Sequence, residues 1–154
     1  MRQKIFPALL LFLLCFASGC SQKNLDLDLD SCVEYIMNTV IFEDTLEELD
    51  RDVIRWRYNV EEDVDARVFA GSGATAEEVC VMQAIDDDSA SDLVSLLEQH
   101  VQDQRESYEN YQPEEVQRID HAFLKRYGDT VVLIIGNDNG VSEKMARYVE
   151  QGGV

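Results

Sequence analysis

The side chains best suited to proton transfer near neutral pH are two histidines, His100 and His121. A hydrolase needs such a base beside a serine or cysteine nucleophile, and no stretch of the sequence supplies that context. Ser72 lies in Gly71-Ser72-Gly73, which lacks the longer glycine elbow that exposes a serine nucleophile. Metal chemistry is equally thin. Asn137-Asp138-Asn139-Gly140 has the look of a calcium loop, but the position that needs an acid five residues before the glycine is Ile135. Asp138 or Ser142 reads better as a helix cap. Asp86-Asp87-Asp88 can gather a weakly held, hydrated cation, yet it also suits the positive end of a helix. No Cys/His spacing suits zinc, so the residues point to no catalytic set, no metal site and no cofactor.

Two further groups carry chemistry of other kinds. Cys32 and Cys80 are a candidate disulfide; the bond would close a loop of about fifty residues and add about 4 kcal/mol in the chain-entropy account. The competing reading is two buried free thiols, since cysteine packs as a small hydrophobe. Arg51, Arg55 and Arg57 stand close together with Trp56 and Tyr58 in an otherwise acidic chain. Arg with Trp and Tyr is the composition of interface hot spots, which makes this island the candidate interaction site. The alternative is that Trp56 fills the core while the arginines pair with Glu47, Asp50 and Asp52.

The N-terminus gives an address. Arg2 and Lys4 precede an apolar run from Ile5 to Phe16, and Ala17-Ser18-Gly19 leads directly into Cys20. That order is an export signal, with an apolar run well short of the ~20 residues a membrane-spanning helix needs. A cysteine immediately after small residues looks like the lipid-acceptor cysteine of a bacterial lipoprotein. On that reading residues 1–19 are a signal peptide and Cys20 carries a diacylglyceryl group that anchors the chain to the cell membrane on its extracytoplasmic face. Two acyl chains give stable anchoring where one gives marginal binding. Cysteine parity agrees: with Cys15 removed and Cys20 acylated, Cys32 and Cys80 remain as an even pair.

Net charge is −18 over 154 residues, and losing Arg2 and Lys4 makes the exported chain more acidic still. Such a surface repels nucleic acid and anionic polymers, which excludes nucleic-acid binding. It leaves solubility, a basic partner, or weak calcium binding.

The remaining pattern says what must position these groups. Residues 20–28 read as a tether and 29–154 as one domain. Leu29, Val33, Ile36, Met37 and Val40 share a helical face. Thr45 with Glu48 reads as a capping box for a second helix burying Leu46, Leu49, Val53 and Trp56. Val64 to Ala70 alternates as a half-buried strand, and Glu78 to Ile85 is apolar on both faces, as in a central strand. A long helix comes next, from Asp86 to about Tyr108, with Leu93, Leu96, Leu97, Val101 and Tyr108 inward. Pro113 opens a short helix. Ile119 to Tyr127 and Thr130 to Ile135 read as strands joined by a Gly128-Asp129 turn. Val141, Met145, Tyr148 and Val149 line a last helix. The order predicts an α+β fold: an antiparallel sheet of about four strands in two hairpins, with a long central helix and N- and C-terminal helices packed against it.

Several stretches resemble a family of small lipoproteins of Gram-positive bacteria known as domain of unknown function 4358. They are Cys20; Tyr58-Asn59-Val60; Ala74-Thr75-Ala76-Glu77-Glu78-Val79; Tyr108-Glu109-Asn110-Tyr111-Gln112-Pro113-Glu114; and Gly128-Asp129-Thr130-Val131-Val132-Leu133-Ile134-Ile135. Thr130 departs from the aromatic frequent after Gly-Asp in that family. The resemblance implies localisation and fold and supplies no catalytic residue. The expectation is a non-catalytic binding or interaction module of the cell envelope, serving a protein partner or a small ligand. The alternative is an envelope hydrolase whose Ser, His and acid meet only in three dimensions.

Overall fold

The computed structural model describes residues 27–61 and 63–153. The signal segment, Cys20 and most of the tether lie outside the described residues. The chain adopts an α+β fold, with five α-helices and one five-stranded antiparallel sheet among the described residues.

The helices are α1 (Leu29–Thr39), α2 (Arg51–Tyr58), α3 (Asp87–Tyr111), α4 (Val116–Asp120) and α5 (Val141–Glu150). The strands are β1 (Glu47–Glu48), β2 (Asp65–Ala70), β3 (Glu78–Gln83), β4 (Phe123–Tyr127) and β5 (Thr130–Ile135), in the order β1-β2-β3-β5-β4. β3 and β5 are central, and each is covered on both faces. That is why their sequences are almost continuously apolar instead of alternating. Val68, Cys80, Met82, Val131, Leu133 and Ile135 face α2, α3 and α4 in one core. Val79, Val81, Val132 and Ile134 face α1 and α5 in the other.

The register defines two ends. Asp65, Gln83, Thr130 and Tyr127 lie at one; Ala70, Glu78, Ile135 and Phe123 lie at the other. Leu27 is buried at the Thr130 end, where its carbonyl accepts from the Thr130 hydroxyl at 3.5 Å. The chain therefore enters the fold at the end opposite Ile135. The β4–β5 hairpin has Gly128 at φ 60 while Asp129 keeps a negative φ. Glycine first with a positive φ is the II′ pattern, whose twist matches the strands.

Three local expectations are corrected. Glu47 and Glu48 form a short edge strand on β2, so Thr45 and Glu48 make no capping box, and α2 begins after Asp50. Glu48 instead takes a bidentate pair from Arg67, at 2.7 and 2.9 Å. The later start rotates the buried face of α2 to Ile54 and Tyr58, leaving Val53 and Trp56 outside. The stretch from Ile119 is not strand throughout: α4 ends at Asp120, His121 caps it, and β4 starts at Phe123. Asp86 does cap α3, accepting from Ser89 N–H at 2.8 Å.

Candidate functional site

The island on α2 is divided by the fold. Trp56 is 85 % exposed, so it does not fill the core. Arg51 pairs with Asp65 at 3.5 Å, and Arg57 turns inward to Glu78 at 3.0 Å. Both of these partners are distant in sequence, in place of the neighbouring acids Glu47, Asp50 and Asp52. Arg55 lies on the same helix as Trp56 and is partly buried.

Cys32 and Cys80 are free thiols in the structure. Cys32 belongs to the core under α1 and α5, Cys80 to the core under α2 and α3, so the sheet separates them and the candidate disulfide is not made. Burial pushes the Cys32 thiol up to about 12, and Cys80 well above its usual range.

Around β3 the sequence places carboxylates inside, and each is matched. Glu78 is 0 % exposed and accepts from Arg57 Nη2 at 3.0 Å and Gln104 Nε2 at 2.9 Å, with His100 Nε2 3.1 Å away. Glu77 accepts backbone N–H bonds from Glu43 and Asp44, at 2.7–2.9 Å. Glu115 accepts from Ala76 N–H and from Arg118, both at 2.8 Å. Arg118 also reaches Glu43 at 2.8 Å and Glu77 at 3.6 Å, so one guanidinium serves three acids. Buried charge is tolerable only when paired and hydrogen-bonded in this way. The Tyr58 hydroxyl lacks a hydrogen-bond partner among the described residues, and its ring lies 4.4 Å from that of His100. Burial, aided by the charge of Glu78, raises the Tyr58 phenol far above its usual range. These networks tie β3 to the loops before β1 and after α3.

The same ties hold up one wall of a polar cleft at the Ile135 end of the sheet. A cavity of about 690 Å³ is lined by His121, Phe123, Ile134, Gly136, Asp138, Asn139, Val141 and Ser142, among others. A second, of about 410 Å³, adds Glu114, Gln117, Arg118 and Asn137 and shares His121, Gly136 and Asn139 with the first. Gly136 lies close against Phe42, since a Cβ there would lie 3.1 Å from the Phe42 ring.

The polar groups of the cleft fall into two sets. His121 Nδ1 sits 2.6 Å from the Gln117 carbonyl. A carbonyl only accepts, so Nδ1 carries the proton, and Nε2 has no partner among the described residues. Asp138 accepts from Gly140 N–H at 2.7 Å and pairs with Lys144, whose ammonium also donates to the Thr39 carbonyl. The Lys144 pairing, then the Gly140 bond, hold the Asp138 carboxyl below its usual range. Asp138 and Ser142 are not helix caps: Gly140 occupies the cap of α5, with no side-chain bond. Asn137, Asn139 and Ser142, like His121 Nε2, have no side-chain hydrogen-bond partner among the described residues. The His121 position was visible in the sequence. Its juxtaposition with residues 136–142 was not, because β4, β5 and α4 must fold before they meet.

Among the described residues, no group of three or more His, Cys, Asp and Glu side chains is placed to hold a metal ion. No helix among them is long and apolar enough to cross a membrane. No curated protein and no solved structure matches the chain. The model of the family described as Domain of unknown function (DUF4358) matches residues 38–136, from the end of α1 through β5, and the chain belongs to that family.

Proposed function

We propose that this chain is a lipid-anchored, extracytoplasmic binding module of the cell envelope, acting without catalysis. Its recognition surface is the cleft between His121 and residues 136–142. The observation that carries this reading is a set of polar side chains, Asn137, Asn139, Ser142 and His121 Nε2, that face a cleft without internal partners among the described residues. They stand on a frame fixed by buried ion pairs, as a recognition site requires.

The direction of entry supports the same reading. With Cys20 in the membrane, a tether of this length reaches at most about 25 Å when fully extended. It joins the fold beside Thr130, at the end of the sheet opposite the cleft. The membrane-proximal end carries Asp65, Asp129 and the acids that open α3. Their charge is repelled by anionic lipid and holds the domain off the surface.

A second reading is an envelope hydrolase, because His121, Asp138 and Ser142 line one cavity. Asp138 is committed to Lys144, however, and no hydrogen bond joins Ser142 to His121, which a nucleophile–base pair requires. A fluorophosphonate probe separates the two readings: labelling at Ser142 that His121→Ala abolishes would replace binding by hydrolysis.

The test of the binding module is photocrosslinking in intact cells from position 139, with mass spectrometry of what is captured. One dominant partner, lost with Cys20→Ala, is the expected result. Identical capture with and without Cys20 would remove the anchor from the proposal, and no capture would remove the cleft.

A further inference from the structure

β4 is the outermost strand of the sheet, and its free side is open among the described residues. Tyr127 and Thr130 close a two-residue hairpin, so Phe123, Lys125 and Tyr127 exchange ladder bonds with β5. The N–H and C=O groups of Leu124 and Arg126 therefore point outward. Neither residue has another backbone partner among the described residues. An unpaired row of this kind is a template for an added strand.

Clefts flank that row on both faces of the sheet. The cavity of about 690 Å³ on the α5 side and one of about 290 Å³ on the α3 side are both lined by Ala122 and Leu124. Two clefts thus meet across the same stretch of open backbone, one on each face of the sheet. A strand laid along β4 sends alternate side chains to opposite faces. One set would enter the α3-side cleft, against Val101, Ile119 and Leu124. The other set would lie on the face of Phe123, Lys125 and Tyr127.

Charge selects the occupant. Lys125 is exposed and, among the described residues, pairs with no carboxylate; its ammonium rests 5.1 Å from the Tyr127 ring. In a protein of net charge −18, a cation without an acid is a local exception. A second copy adding its own β4 in the antiparallel register centred on this residue would set Lys125 against Lys125, and like charges directly opposite repel. An acidic side chain at the same place is attracted.

We propose that the outer edge of β4 docks an extended segment of a partner protein, alternating apolar with acidic residues, as a sixth strand. Main-chain bonds to Leu124 and Arg126 supply affinity; the α3-side cleft and Lys125 supply selectivity. This names the partner class for the binding-module reading and rests on it.

The probe is a short fluorescent peptide alternating valine with glutamate, offered to the full chain in detergent. Saturable binding is expected, with slowed hydrogen exchange at the Leu124 and Arg126 amides. Lys125→Glu should weaken it by at least about tenfold, while Lys125→Arg should retain it. A peptide N-methylated at alternate amides should not bind the unaltered chain, which tests the pairing without any protein variant. Binding with no protection at Leu124 and Arg126, or none at millimolar peptide, overturns the proposal. Protection that rises with protein concentration alone assigns the edge to a second copy and also overturns it. If the edge fails while crosslinking from position 139 still captures a partner, the binding module stands without this mode. If the peptide docks and position 139 captures nothing, the edge stands and the cleft does not.

Discussion

Glu78 and His121 both belong to polar clusters built on one sheet, and they differ in what surrounds them. Glu78 is buried, and its oxygens are met by Arg57, His100 and Gln104. His121 is exposed, with one nitrogen held by the Gln117 carbonyl and the other unclaimed among the described residues. Polarity that is fully answered inside the fold serves the fold. Polarity left unanswered at a cleft adds nothing comparable to the fold. The difference makes the two clusters separable by mutation.

The largest effect falls on the interior. Glu78→Ala leaves Arg57 and His100 facing a vacant site beside the core, and should destabilise by about 3 kcal/mol, the usual scale for breaking a buried pair. Urea denaturation followed by far-ultraviolet circular dichroism checks it. Arg118→Ala should rank with it, because Glu77 and Glu115 lose their common cation. His121→Ala and Asn139→Ala should each stay within about 0.5 kcal/mol of the parent. A His121 variant as unstable as Glu78→Ala would erase the distinction and make the cleft a structural feature.

The interior also predicts reactivity. With the Cys32 thiol raised to about 12 by burial, almost no thiolate is present at neutral pH, and the thiolate is the nucleophile. Iodoacetamide should leave Cys32 and Cys80 unmodified in the native protein and alkylate both in denaturant without prior reduction. Peptide mass mapping reads each site. A need for reductant would mean that the two are bonded and that α1 or β3 is misplaced.

How much of this was legible in the sequence depends on the range of the interactions. The long helix, the paired strands β4 and β5 and the last helix rest on local periodicity and a turn dipeptide, and they are present near their expected places. β1 escaped because two residues carry no period; Glu47 and Glu48 are strand only by pairing with Phe69 and Ala70. Missing that strand shifts the start of α2 and inverts the reading of Trp56. The buried carboxylates were hidden for another reason. Glu77 and Glu78 look like solvent residues until Arg118, Arg57 and His100 arrive from helices distant in sequence. The cleft depends on the same long-range assembly, so its histidine was visible and its walls were not.

A smaller effect appears in acid. Asp138, held by Lys144 and Gly140, and Glu48, held by Arg67, both titrate below their ordinary values in the fold. A depressed folded pKa adds stability that is complete above the unfolded value, about 4, and is lost as pH falls through the folded one. Melting temperature should therefore drop between about pH 4 and pH 2. Asp138→Asn should flatten its share of that slope while costing at most about 1 kcal/mol at neutral pH, since the amide oxygen can still accept from Gly140 N–H. An unaltered slope in this variant would assign the acid sensitivity to Glu48 and its Arg67 partner instead.

The smallest expected effect is at Trp56, the single tryptophan of the chain. A core tryptophan costs about 3–5 kcal/mol when truncated to alanine. Trp56 projects from α2 at 85 % exposure, so Trp56→Ala should change stability by no more than about 0.5 kcal/mol. Its fluorescence should be quenched by iodide almost as readily in the native chain as in urea. Quenching that becomes efficient only on unfolding would return Trp56 to the interior and rotate α2 back to its sequence-based face. With the exposed result, an aromatic side chain stands in water beside Arg55 with no contribution to folding. Trp56→Ala should then fold as the parent does.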